Sequence, residues 1–419
     1  MRVLIASDSF KESCNAKDVC QSIARGLRRL PFSFEIDECP MADGGEGMLA
    51  AIASALEVHI ERVTVSDPLG NRCEAELGWV QAEAWPDVIE TIDHGTNVER
   101  IALLEAATCI GLAKVPQPRR DPLITSSYGL GQLLMHAMRK GATTIVIGLG
   151  GTSTVDGGLG LAQAMGVEFE GIPECAGGAA MARVTSIDPT ALQAFKARII
   201  LASDVSNPLL GPRGAARAFG PQKGAAPPVV EQLESSMGHY ARCLYDACAS
   251  MRGVDAPLTN LPFAPHAATT RADTISGFES AVARPGTGAA GGLGFALQQL
   301  FGAVNRSGVE LTMGAVGFDE RLRRSDMVIT GEGRLDRSSF EGKVVSGVLS
   351  RARAQGVPTY AVVGSNAYDD REALRARGLI HVETLVEHAS DLADAIARAG
   401  EILADCGARL GRLALPSPT

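Results

Sequence analysis

Aspartates and lysines recur beside glycine at the ends of short apolar runs. They are Asp8 with Lys11, Asp43 before Gly44-Gly45, Asp156 before Gly157-Gly158, Asp204 with Asn207, and Asp336 with Lys343. This inventory suits phosphoryl transfer. Carboxylates can hold Mg²⁺, a lysine can neutralise a moving phosphoryl group, glycine backbone can surround phosphates, and one carboxylate can accept a hydroxyl proton. Each Asp also has a plainer reading as a helix N-cap that accepts backbone N–H bonds. A cap does not call for Lys11 or for the double glycine after Asp43. The chain lacks the Walker A sequence and both the H-R-D and D-F-G sets of protein kinases, so an ATP site here is of another kind.

Such residues need elements that stop at the right places. Residues 143–147 are a β-branched run that predicts a buried strand. Gly148, Gly150 and Gly151 follow, then Thr152, Ser153, Thr154 and Asp156, and a helical pattern resumes at Leu159. Glycine lets a ligand approach the main chain, and the free N–H groups of a helix start attract an anion. Asp156 would repel a phosphate there unless a cation lay between them, which points to phosphate plus Mg²⁺. A plain glycine-rich strand-to-helix turn is the alternative.

The first sixty residues read as βα units: strand 3–6, helix 15–30, the loop 40–47 and helix 48–56. In open α/β sheets ligands sit outside the carboxyl ends of the strands, where Asp8 and Asp43 fall. From 63 the texture changes to a mixed sheet, with strands 63–65 and 75–80, a polar loop 81–100, and a strand or helix start at 102–107. A helix through 139, a strand 199–203 and a helix 229–251 follow, and 253–287 reads as a long loop near a domain boundary. Gly286, Gly288 and Gly291 match G-x-G-x-x-G, but no strand precedes them, so the dinucleotide reading lacks its context. The end returns to βα: strand 327–330 into a glycine loop at 331–336, strands 360–363 and 383–386, helices 370–377 and 391–406. The fold class is therefore α/β.

At 419 residues two domains are expected. A net charge of −9 argues against a nucleic-acid partner. No apolar run approaches the roughly 20 residues that span a membrane. The opening MRVLIASDSF has no signal-peptide pattern, and the nine cysteines are scattered without C-x-x-C. They read as buried thiols in a reducing cytoplasm. A homo-oligomer is left open.

The segments SDSFKES, PMADGGEG, SSYGLGQL, IGLGGTSTVDGG, SDVSNPLLGPRGAA, FGPQKGA, GTGAAGGLG and VITGEGRLDRSSFEGK, in this order from residue 1 to about 365, resemble the type 1 bacterial glycerate kinases. The resemblance implies phosphorylation of D-glycerate by ATP with Mg²⁺, with 2-phosphoglycerate the usual product. It implies a Rossmann-like parallel-sheet domain built from both chain ends (1–62 and 288–419), an inserted mixed-sheet α/β domain (63–287), and a site in the cleft between them. Within it, Asp43 is the candidate general base, with Asp8 and Asp336 close behind, and Lys11 and Asp204 complete the catalytic set. Gly150, Gly151, Thr152, Ser153, Lys223, Gly333 and Lys343 are candidates for the nucleotide. Asp8, Ser126, Ser127, Asn207, Arg213 and Asp336 are candidates for the substrate, with helix capping the alternative for the serines. Asp156 and Asp204 are the expected Mg²⁺ ligands. Val155 stands where the family commonly has Asn, and 81–97 and 255–283 look like insertions. Two other function classes compete: an NAD-dependent dehydrogenase of a small hydroxy acid, and a non-catalytic sensor with a kinase-like cleft.

Overall fold

The computed structural model describes residues 1–11, 13–86, 88, 100–194, 197–252, 271–368 and 371–415. Most of the expected 81–97 insertion and the 255–270 part of the second lie outside the described residues. Two compact units divide the chain. One holds Met1–Asp43, Gly47–Glu57 and Ser307–Thr419; the other holds Gly44–Glu46 and Val58–Arg306.

Strands are numbered along the whole chain. The first unit contains β1 (Arg2–Ser7), β2 (Glu35–Glu38), β11 (Met327–Leu335), β12 (Thr359–Asn366) and β13 (Leu379–Thr384), in the order β13-β12-β11-β1-β2. Every pairing is parallel. Parallel sheets are covered on both faces, and β1 shows it. Its Val3 and Ile5 pack in one apolar cluster with Ile23, Leu27, Ile402 and Leu410, while Leu4 and Ala6 pack in another with Met313, Phe318, Val344 and Val348. On the first face the Ala16–Arg28 helix lies against the Ala399–Ala414 helix. They touch so closely that a Cβ on Gly26 would sit 1.8 Å from the Ala404 carbonyl oxygen, and one on Gly407 2.4 Å from that of Ile23.

The order reverses between β11 and β1: the chain leaves β1 for β2 on one side, and β11, β12 and β13 extend on the other. Such a switch point opens a crevice outside the strands' carboxyl ends.

The second unit is a mixed sheet of β3 (His59–Ser66), β4 (Arg72–Gln81), β5 (Arg100–Glu105), β6 (Thr144–Gly148), β9 (Arg198–Ala202) and β10 (Val304–Arg306), in the order β10-β9-β6-β5-β4-β3. The β3–β4 and β4–β5 pairs are antiparallel and the others parallel. β7 (Glu168–Phe169) and β8 (Ile187–Asp188) form a separate antiparallel ladder. All five β6 residues are buried, as its β-branched run requires.

Three expectations change. Residues 288–306 belong to the second unit, because β10 pairs with β9 and the Ala289–Phe301 helix buries Leu293, Phe295 and Leu297 in that unit's core; the chain enters the first unit's second segment at Ser307. Part of the expected 253–287 loop is the Arg271–Ala283 helix. The strand expected to end at 330 continues through Gly331, Glu332 and Gly333 to Leu335, held in register by β12 up to Leu335 opposite Asn366.

Candidate functional site

The loop after β6 is built from its hydrogen bonds. Asp156 is 0% exposed. Its Oδ2 accepts from the Ser127 N–H (2.7 Å), the Ser127 hydroxyl (2.7 Å) and the Gly160 N–H (3.2 Å), and its Oδ1 from the Gly158 N–H (3.1 Å). Burial raises its carboxyl above the usual range, and these donors pull it back down. Asp156 therefore occupies the start of the Leu159–Ala164 helix that the sequence offered to a phosphate. With both oxygens bonded and no exposure it fits the capping alternative. Ser126 and Ser127 are likewise fully buried. The Ser127 hydroxyl donates to Asp156 and accepts from the Leu161 N–H, and Ser126 Oγ accepts from the Tyr128 N–H, so their hydroxyls serve the fold where substrate contacts were expected.

Lys223 lies beneath the same loop, 3% exposed. Its Nζ donates to Thr152 Oγ1 (3.1 Å) and to the Thr154 carbonyl oxygen (2.8 Å). Burial pushes its ammonium down to about 7, against the pull of Asp156. It braces the loop from inside, where a nucleotide phosphate contact was expected. Ser153 turns inward too, its N–H and hydroxyl both on the Ile110 carbonyl oxygen. Gly150 and Gly151 are the accessible part of the loop; Gly151 has φ 74°. The Gly286–Gly291 run follows a helix, and it packs on this loop: Gly291, at φ 71°, accepts from the Gly157 N–H, and a Cβ there would meet the Thr154 carbonyl oxygen at 2.0 Å. It is a packing turn without the strand a dinucleotide fingerprint needs. Beyond β9, Asp204 is half-buried, Asn207 Nδ2 donates to the Arg213 carbonyl oxygen (2.7 Å), and the Arg213 side chain is exposed.

In the first unit the chemistry-bearing residues gather at the switch point. Asp8 follows β1, and its N–H donates to the Gly331 carbonyl oxygen at 3.0 Å. Loss of water and the charge of Asp43 push the Asp8 carboxyl well above its usual value; Glu332 adds to the push, while the Ser9 N–H and Lys11 oppose it. Glu332 itself is 8% exposed, and its Oε1 is buried with no hydrogen-bond partner. Burial pushes it up to about 7; Ser339 and Lys343 oppose the shift, Asp336 and Asp43 add to it. Asp336 caps the next turn, accepting from the Ser338 hydroxyl (2.7 Å) and N–H (2.8 Å), which hold its carboxyl below the usual range. Lys343 sits at the start of the Val344–Gln355 helix, and Gly333 lies 3.5 Å from the Lys11 N atom, measured from the position of a Cβ. Asp8, Lys11, Asp43, Asp336 and Lys343 thus share one neighbourhood with Glu332, which the sequence reading left without a role. Its only signal was an acid between two glycines.

A glycerate kinase family model matches residues 3–415. This chain belongs to the glycerate kinase family. It is similar to the glycerate kinase of Halalkalibacterium halodurans, 34% identical over 406 residues that cover 96% of this chain and 95% of that one. It is equally similar to the glycerate 2-kinase of Escherichia coli, 34% over 371 residues, covering 87% and 85%. A crystal structure of a Salmonella typhimurium protein assigned as a glycerate kinase 2 superposes with a TM-score of 0.68 at 32% identity, covering 99% of this chain and 98% of that one. A member of this family is a kinase, and its α/β fold of one parallel and one mixed sheet is the one described above. Among the described residues no helix is long and apolar enough to cross a membrane.

Proposed function

We propose that this chain transfers the γ-phosphoryl group of ATP to D-glycerate, with Mg²⁺ and with 2-phosphoglycerate as product. The observation that carries this is the match along nearly the whole chain to relatives named for glycerate phosphorylation, one of them a glycerate 2-kinase. In the reaction the substrate hydroxyl oxygen bonds to the γ-phosphorus, the bond from phosphorus to the β–γ bridging oxygen breaks, and the hydroxyl proton passes to a carboxylate. Asp43 is our candidate acceptor for that proton. Lys11 and Lys343 are our candidates for the charge on the transferred group, since both stand among the switch-point carboxylates. Asn207 and Arg213 remain candidates for the glycerate carboxylate, for which a guanidinium offers a two-pronged fit.

Mg²⁺ takes hard oxygen ligands, often one or two carboxylates completed by phosphate and water. At the switch point Asp8, Asp43 and Glu332 offer hard carboxylate oxygens, and one buried Glu332 oxygen lacks a partner, which supports a cation near them. Bound there, the cation would neutralise phosphate charge. The nine cysteines are all free thiols, which supports a reducing cytoplasm as the location.

The test is direct. Purified protein with Mg²⁺, ATP and D-glycerate should release ADP in proportion to glycerate consumed. Phosphorus NMR should place the new phosphate on the 2-position; a 3-phosphate would overturn the product assignment, and absence of ADP the reaction.

A further inference from the structure

Cys406 is a fully buried residue of the Ala399–Ala414 helix, which packs against β13 and against the short turn Leu385–His388 that follows β13. That packing gathers three unlike side chains. Among the described residues, one group of three His, Cys, Asp or Glu ligand atoms lies within 4.8 Å of one another: Glu383 from the strand, His388 from the turn and Cys406 from the helix. The Glu383 Oε2 is 3.0 Å from His388 Nε2, and its Oε1 is 3.1 Å from His381 Nε2. Arg409, one turn beyond Cys406, brings its Nε to 3.2 Å from Oε2, yet that N–H is buried and makes no hydrogen bond. The Cys406 side chain packs in the apolar cluster of Ile23, Ile402 and Leu410. A thiol, an imidazole and a carboxylate oxygen therefore converge on one spot, beside a guanidinium whose bonding there is incomplete.

We propose that Glu383, His388 and Cys406 form a zinc site, separate from the Mg²⁺ proposed for the kinase reaction, that ties the edge strand β13 to the last helix. Sulfur, imidazole nitrogen and one carboxylate oxygen are zinc's ligand types, whereas Mg²⁺ takes oxygen. Zinc bonds of about 2.0–2.3 Å place tetrahedral ligand atoms roughly 3.3–3.7 Å apart. The Glu383 and His388 atoms are already that close, and the sulfur must approach by about 1–1.5 Å at most. His381 holds the other carboxylate oxygen, as outer partners of metal ligands do. His388 is 26% exposed and His381 lines a cavity of about 230 Å³, so an ion has a way in and water can fill the fourth position. On binding, the Cys406 thiol gives its proton to solvent and the sulfur bonds to the metal. Zinc with one thiolate and one carboxylate is neutral, so Arg409, whose side chain is 38% exposed, is released to turn outward. Arg409 is thus the metal's competitor for Glu383.

The test uses protein stripped with a chelator. Titrated with Co²⁺, zinc's spectroscopic substitute, it should take up one equivalent and show the near-ultraviolet absorption of a cobalt–thiolate bond. Zn²⁺ should displace the Co²⁺ and raise the thermal midpoint. C406A should lose the absorption, and H388Q should bind Zn²⁺ at least about tenfold more weakly. Each variant is melted metal-free beside wild type, so a folding loss is read separately; if C406A fails to fold, H388Q decides alone. R409M should bind Zn²⁺ more tightly, which adventitious binding elsewhere on the chain would not show. No cobalt–thiolate absorption in wild type, the same absorption in C406A, or unchanged Zn²⁺ affinity in H388Q overturns the proposal. None of these readouts uses the kinase reaction, so the site stands or falls independently of it.

Discussion

Two buried groups, one on the loop after β6 and one beneath it, show how environment decides a residue's work. Asp156 and Lys223 carry opposite charges, and both are held in place by backbone and hydroxyl partners. Replacing Asp156 by Asn puts an NH₂ against N–H donors it cannot satisfy. D156N should lose about 1–3 kcal/mol of stability in denaturant titration. Lys223 gives a pH signature. Its folded value near 7 lies below the ordinary 10.5, so between those limits the unfolded chain binds a proton that the folded chain does not. Stability from this group therefore rises with pH across that window, by at most about 1.4 kcal/mol per pH unit. K223M should flatten that slope in thermal melts taken from pH 7 upward. Lys11 is exposed and its loss leaves packing intact. K11M should keep the wild-type melting temperature and lower kcat/KM by roughly 10²–10³-fold in the coupled ADP assay.

At the scale of elements, the glycines fix which loops can meet. A Cβ on Gly160 would lie 2.1 Å from Ser126 Oγ and 2.7 Å from the Tyr128 N atom. G160A should push the two helix starts apart and cost about 1–3 kcal/mol, read as a lower denaturation midpoint. The same scale shows what the sequence could tell. The βα units at both ends were legible because their strands are short and apolar and their helices keep one regular face, as Val19, Ile23 and Leu27 do. The reach of β11 was not: Gly331 and Gly333 weaken a strand pattern, and the pairing with β12 that overrides them is non-local. Nor could Asp156 be separated from a metal ligand, because a cap and a cation site both ask for a carboxylate followed by glycine. The four donors around it, which favour the cap, come from residues distant in sequence as well as near. β10 has three residues, too few to show a period, so the residue where the chain rejoins the first unit was misplaced.

At the scale of the whole molecule, each unit has its own sheet and its own apolar clusters. Calorimetry should resolve two unfolding transitions. Gly407→Leu, which drives a side chain into the Ile23 backbone, should lower one and leave the other in place; a single transition that moves as a block would contradict independent cores.

The pairing of the Ala16–Arg28 helix with the Ala399–Ala414 helix has a consequence for synthesis. The amino-terminal segment leaves the ribosome first, but its partners β11, β12 and the last helix are made only after residue 306. At about 5–20 residues per second, the newborn first helix waits roughly 15–60 s with Val19, Ile23 and Leu27 bare to water. The middle unit needs nothing from the last hundred residues and can close while translation continues. The nascent amino terminus is thus the part of this chain most in need of a chaperone's shelter.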